Sequence, residues 1–128
     1  MRIELVVLDL DGTLYSSKAT TVGAVGPAVR DFNRVTGLEI GVPSEEAILG
    51  GIGLARDDYV EKVLPDVPPE RRGEMSDLIW HWEHTLVEGG HGGLFPGVRR
   101  TLGALRDDGY ALAVATNAGT GYMDFILD

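Results

Sequence analysis

The sequence predicts an α/β fold, a parallel-sheet core interrupted by an inserted helical lobe. Residues 3–8 (Ile-Glu-Leu-Val-Val-Leu) and 110–115 (Tyr-Ala-Leu-Ala-Val-Ala) are short apolar runs with the length of buried strands. Between Pro96 and Gly109, Val98, Leu102 and Leu105 fall at i, i+4 and i+7, one face of a helix. Residues 16–93 show several helical patterns and no convincing strand. Strand, helix and strand in that order imply parallel pairing through a right-handed crossover.

Bulk properties narrow the class. At 128 residues the chain has the size of one domain, with 44% hydrophobic and 24% charged residues and a mean hydropathy of +0.02, the balance of a globular protein. No run approaches a membrane span. Twenty acidic against 11 basic residues give a net charge of -9, which leaves no basic stripe for nucleic acid or an anionic membrane surface. Zero cysteines exclude disulfides and thiolate metal sites. Met1-Arg2 leads straight into the first apolar run without the succession of a signal peptide, so a cytoplasmic location is expected.

Taken in order, the first strand is β-branched, almost continuously apolar and ended by Asp-Gly, the pattern of a strand covered on both faces. In the lobe, Val25, Val29, Phe32 and Thr36 share a face and Gly37 ends that helix. Ile52, Ala55, Tyr59, Val60, Val63 and Leu64 make a second helix, and Gly50-Gly51-Ile52-Gly53 is a turn before it. The third begins at Pro68-Pro69-Glu70 and carries a stripe of Met75, Leu78, Ile79, Trp82 and Leu86, with Glu74, Asp77, His81, Glu83, His84 and Glu88 largely elsewhere. Tyr15-Ser16-Ser17-Lys18 leads into the lobe. Gly89-Gly90-His91-Gly92-Gly93 leads out, with the composition of a hinge or equally of a surface loop. Pro96 suits a first helical position, and residues 118–128 read as a short helix with Tyr122, Met123, Phe125 and Ile126. The expected division is a core of residues 1–15 and 94–128 with residues 16–93 inserted.

The chemistry gathers at Asp9-Leu10-Asp11-Gly12-Thr13-Leu14. Two aspartates two apart in an extended segment leave on the same side, at the carboxyl end of a strand, where open α/β sheets place ligands. At about 4 Å the two charges would repel by about 4 kcal/mol at an effective dielectric near 20, which calls for a cation or a shared proton. An all-oxygen pair suits Mg²⁺, which bridges carboxylates to substrate phosphate. The plainer reading is a turn at Asp11-Gly12 with Asp9 as a cap; an aspartate at the desolvated end of a strand argues against it. The second strand ends in Thr116-Asn117-Ala118-Gly119, which brings a hydroxyl, an amide and flexible backbone to the same sheet edge.

With these residues stated, the chain resembles the haloacid dehalogenase-like hydrolases, specifically the phosphoglycolate phosphatase and β-phosphoglucomutase type with a helical cap. The resemblance spans the whole chain. It rests on Asp9-Leu10-Asp11-Gly12-Thr13-Leu14, the cap-length insert, Leu94-Phe95-Pro96-Gly97-Val98 at the return to the core, and Ala115-Thr116-Asn117. It implies a Rossmann-like core and a Mg²⁺-dependent phosphatase acting on a small phosphorylated metabolite. Asp9 would be the nucleophile that becomes an aspartyl phosphate, and Asp11 the general acid and base. Mg²⁺ would lie on the Asp9 carboxylate and the Asp11 main-chain carbonyl, with Thr116, Asn117, Leu10 and Gly12 around the phosphate. Dehalogenases of the superfamily lack the second aspartate, so Asp11 favours phosphoryl transfer.

The resemblance also implies elements absent from these 128 residues: a lysine that neutralises phosphate and nucleophile, and acidic residues that complete the metal shell. The two lysines, Lys18 and Lys62, match neither. The core is therefore expected to be incomplete at its C-terminal side, and losing one such donor slows a reaction by about 10²–10³. An impaired phosphatase is expected, with a phosphomutase or a non-catalytic remnant acting by association as alternatives. The first strand, with one neighbour, would expose an edge, so a homodimer through that edge is expected. His81, His84 and Glu88 have metal-ligand spacing, but a wet helix face explains them better. Trp80 and Trp82 could mark a substrate surface, though Trp82 fits the lobe's core, and Arg71-Arg72 and Arg99-Arg100 read as solvated helix charges.

Overall fold

The computed structural model describes residues 2–117. The helix expected in residues 118–128 lies outside them. The chain opens with β1 (Leu5–Leu8), turns through residues 9–14 and enters β2 (Tyr15–Ser16). The lobe follows as α1 (Lys18–Thr36), α2 (Glu45–Leu49), α3 (Arg56–Val63), a 3₁₀ turn (Pro69–Arg71) and α4 (Arg72–Glu88). The chain returns through β3 (Gly93–Leu94), α5 (Val98–Asp107) and β4 (Ala111–Val114). β1 and β4 pair in parallel, Leu5 opposite Ala111 and Leu8 opposite Val114, with α5 as the crossover.

Two buried clusters organise the molecule. The larger lies where α1 packs on α4 and is closed by α2 and α3: Val25, Val29 and Phe32 meet Met75 and Ile79, with Ile48, Val60 and Val63 around them. The smaller consists of Leu10, Leu14 and Tyr15, against which Leu8, Val98, Leu102 and Val114 pack. Among the described residues a helix, α5, covers one face of the sheet only, and Leu5 and Val7 are 53% and 55% exposed. The expectation of a first strand covered on both faces is thereby corrected. Its apolar composition matches two covered faces, and α5 supplies one.

Three further differences have local causes. α1 begins at Lys18, well before the residues whose spacing marked it, and runs through Pro27. A proline interior to a helix normally breaks it, but Thr20, Thr21, Ala24, Val25 and Ala28 are buried on this stretch, and that packing holds the helix. α2 went unread although Ser44 accepts a hydrogen bond from the Ala47 amide and Glu45 and Glu46 fill the first turn, a regular helix start. Pro96 lies outside α5, whose cap is Gly97.

The two crossings are joined rather than loose. β2 and β3 pair antiparallel, Tyr15 opposite Leu94 and Ser16 opposite Gly93. Gly92 sits at φ 77°, and a Cβ there would come 2.5 Å from the Tyr15 hydroxyl, so the glycine run is packed against the first crossing. This ribbon sits at the two boundaries of the insert, and residues 17–92 contain no strand, as expected.

Among the described residues, β1 and β4 form a two-stranded sheet with an open edge on each strand and an exposed apolar face at Leu5 and Val7. Such edges template pairing with another chain. We expect sizing chromatography at micromolar concentration to return a dimer, and Val7→Lys to shift it to monomer. A wild-type monomer would contradict this.

Candidate active site

The turn after β1 is built around Leu10. Its carbonyl accepts hydrogen bonds from the amides of Thr13 (3.2 Å), Leu14 (2.9 Å) and Tyr15 (3.0 Å), while the Gly12 amide donates to the Tyr15 carbonyl at 2.9 Å. Gly12 adopts φ 78°, a conformation that side chains rarely tolerate. Leu10 is wholly buried, so its flanking aspartates both face outward from the sheet edge. The Thr13 hydroxyl donates to Asp9 Oδ2 at 3.3 Å, which orients that carboxylate. Asp9 lies one residue past the strand and is exposed, so the desolvation cost foreseen for it does not arise.

Asp9 and Asp11 open into a cleft of about 710 Å³ whose other walls come from both parts of the chain. Ala115, Thr116 and Asn117 line it from the end of β4. Ser17 and Thr21 of α1, Ile52 to Leu54 of the glycine turn, Arg56 and Tyr59 of α3, and Ser76, Ile79, Trp80 and Glu83 of α4 line it from the lobe. Asn117 Nδ2 donates to the Gly53 carbonyl at 2.8 Å and ties the lobe's turn to the sheet edge.

Of the residues read as site candidates, Asp9, Asp11, Thr116 and Asn117 meet in this cleft. Leu10 and Gly12 do not line it: the first has its side chain in the core, and the second has its amide committed to Tyr15. Both shape the turn that carries the two aspartates. Trp82 belongs to the lobe, its indole donating to Asp31 at 3.0 Å, whereas Trp80 faces the cleft. His84 lies 3.6 Å from Glu88 and its ring 5.4 Å from that of Trp80. Among the described residues, no three His, Asp or Glu side chains gather as a metal shell.

The sequence reading missed Thr21, Arg56 and Glu83. Glu83 follows Met75 and Ile79 at steps of four, so the spacing itself sets it on the apolar face of α4, not elsewhere. Its Oε1 accepts a 2.9 Å hydrogen bond from the Thr21 hydroxyl. Burial pushes the Glu83 carboxyl up to about 7 and the charge of Asp11 adds to the rise, against the Thr21 hydrogen bond and Arg56, which lower it. Burial likewise raises the Tyr59 and Tyr15 hydroxyls, with Glu83 contributing to both and Asp11 to Tyr15. Arg56 is held by Ser76 Oγ at 3.0 Å and Asp77 at 2.7 Å.

The raised Glu83 has a stability consequence. The folded chain keeps this proton up to about pH 7, while the unfolded chain loses it near 4.5. Stability from this group is therefore complete below about 4.5 and is lost as pH rises through about 7, by on the order of 3 kcal/mol. Glu83→Gln keeps an acceptor for Thr21 and should abolish this dependence. Urea melts in EDTA should show the variant more stable than wild type at pH 8 and equal to it near pH 4; equal stability at pH 8 would contradict the assignment.

The family model of haloacid dehalogenase-like hydrolases matches residues 3–128. The plasmid-encoded phosphoglycolate phosphatase of Cupriavidus necator is 32% identical over 114 residues, which cover 88% of this chain and 47% of that protein. The phosphoglycolate phosphatase of Vibrio vulnificus is 31% identical over 130 residues, 98% of this chain and 55% of that protein. A crystallised hydrolase from Pseudomonas syringae superposes with a TM-score of 0.77 at 20% identity, covering 98% of this chain and 54% of that one, a likeness of fold. The chain spans about half the length of the curated relatives it matches.

Proposed function

Because the chain belongs to the haloacid dehalogenase-like hydrolase family, we propose that it carries the nucleophile side and cap of a Mg²⁺-dependent phosphatase for a small phosphorylated metabolite. In this reading residues 1–15 and 94–128 are core and residues 16–93 are cap. The observation that carries it is the convergence of Asp9, Asp11 and Thr116 on one cleft roofed by the lobe.

The steps follow from the side chains. Asp9 attacks phosphorus with the oxygen not engaged by Thr13, forming an aspartyl phosphate as the ester oxygen departs. Asp11 gives its proton to that oxygen and later takes one from the water that hydrolyses the acyl phosphate. Thr116 and neighbouring amides hold the phosphoryl oxygens. The donor set, the Asp9 carboxylate and the Asp11 main-chain carbonyl at a sheet edge open to substrate, fits a hard cation that completes its shell with phosphate and water. When bound at Asp9 and Asp11, Mg²⁺ would screen the charge between nucleophile and phosphate.

Among the described residues the cleft has one cation, Arg56, already paired with Asp77. Protein charge compensation for a phosphate is therefore thin, and slow turnover by these 128 residues is expected. The test is phosphate release from p-nitrophenyl phosphate with Mg²⁺ and with EDTA, together with intact mass after acid quenching. Release that ignores EDTA, with no phosphoryl adduct, would overturn the reading.

A further inference from the structure

The cap wall of the cleft carries a carboxylate for which the proposed chemistry has no use. Glu83 projects from the apolar face of α4, and Thr21 on the buried face of α1 fixes its Oε1 at 2.9 Å. Among the described residues, Thr21 is its one hydrogen-bond partner, which leaves its second oxygen to accept from a ligand in the cleft. Ile52, Leu54 and Trp80 line the same cleft, the first two apolar and the third presenting an aromatic ring with one indole N–H. With the phosphate at Asp9 and Asp11, this wall is one that a leaving group in the cleft meets.

The charges there are one-sided. Among the described residues, Asp9, Asp11, Asp77 and Glu83 line the cleft against Arg56 alone, and Arg56 is taken up by Asp77 at 2.7 Å and Ser76 at 3.0 Å. Above about pH 7, where Glu83 is ionised, a second anion on the leaving group would face its charge with, among the described residues, no unpaired cation to answer it, whereas a hydroxyl would donate to an oriented carboxylate. Selectivity built this way needs the repulsive element as much as the attractive one. We propose that Glu83 is a specificity-determining residue that selects phosphomonoesters with an uncharged, hydroxyl-bearing leaving group and rejects those whose leaving group carries a carboxylate or second phosphate. This rests on the phosphatase reading of the same cleft and adds to it the class of substrate.

An isosteric pair tests it. 2-Hydroxyethyl phosphate and phosphoglycolate share a skeleton and differ by a hydroxymethyl group in place of a carboxylate. Dissociation constants for both, from calorimetric titration of the full chain in Mg²⁺ at pH 8.5, where Glu83 is ionised, should favour the hydroxyethyl ester by at least about tenfold. Glu83→Gln should shrink that ratio below about threefold, chiefly by tightening phosphoglycolate. The circular dichroism spectrum of the variant, in which glutamine still accepts from Thr21, should match wild type. Equal affinities, tighter binding of phosphoglycolate, binding of neither ester, or a ratio unmoved by Glu83→Gln would each overturn the proposal. Release of phosphate from p-nitrophenyl phosphate without the preference refutes the role of Glu83 alone. The preference without an Asp9 adduct refutes the phosphatase reading and leaves the selection standing.

Discussion

Asp9→Asn should reduce Mg²⁺-dependent phosphate release to the rate of buffer, a loss of at least about 10³-fold, with no phosphoryl adduct after acid quenching. The substitution is nearly isosteric, and its amide oxygen can still accept the Thr13 hydroxyl that Asp9 Oδ2 accepts at 3.3 Å. Asp9 is exposed, so stability should change by less than about 0.5 kcal/mol, and loss of activity cannot be laid to unfolding. On the proposed reading, what would disappear is the anionic nucleophile and the carboxylate offered to a cation. Asp11→Asn separates the roles: the nucleophile remains, so an adduct should still form from an ester with a good leaving group, but the water lacks its base and the adduct should persist. An active Asp9→Asn, or an adduct on it, would remove Asp9 from the chemistry.

Much of this site was legible because it depends on short-range rules. The period of two sets Asp9 and Asp11 on one side, the buried Leu10 between them enforces it, and the apolar runs before Asp9 and Thr116 bring both to one sheet edge. The cap wall was harder. Thr21 reaches the cleft because α1 continues through Pro27, and it does so for the sake of packing on α4, a tertiary gain that local propensity opposes. Glu83 was visible in principle, four residues after Ile79 on the apolar stripe, but an acidic residue is ordinarily assigned to the wet face. The same contact explains both misses: the hydrogen bond from Thr21 to Glu83 spans 62 positions of chain, and no local pattern encodes it.

Phe32→Ala should cost about 3–5 kcal/mol, a large part of the roughly 5–15 kcal/mol typical of a domain. Phe32 is 1% exposed and sits where α1 meets α4, among Val25, Val29, Met75 and Ile79. Its neighbours are held by long helices on both sides, so the space left by the ring cannot readily collapse, which places the cost towards the upper end. Val35→Ala, on the exposed side of the same helix, should stay within about 0.5 kcal/mol, and urea melts of the two measure the difference. The effect on the site should be uneven. α1 carries Thr21 and α4 carries Glu83, so a loosened α1–α4 contact disturbs the cap wall, while Asp9 and Asp11 rest on the separate cluster of Leu10, Leu14 and Tyr15. In the folded fraction Phe32→Ala should therefore weaken discrimination between hydroxyl and carboxylate leaving groups more than it slows adduct formation on Asp9. Equal losses in both would mean that the two clusters act as one unit.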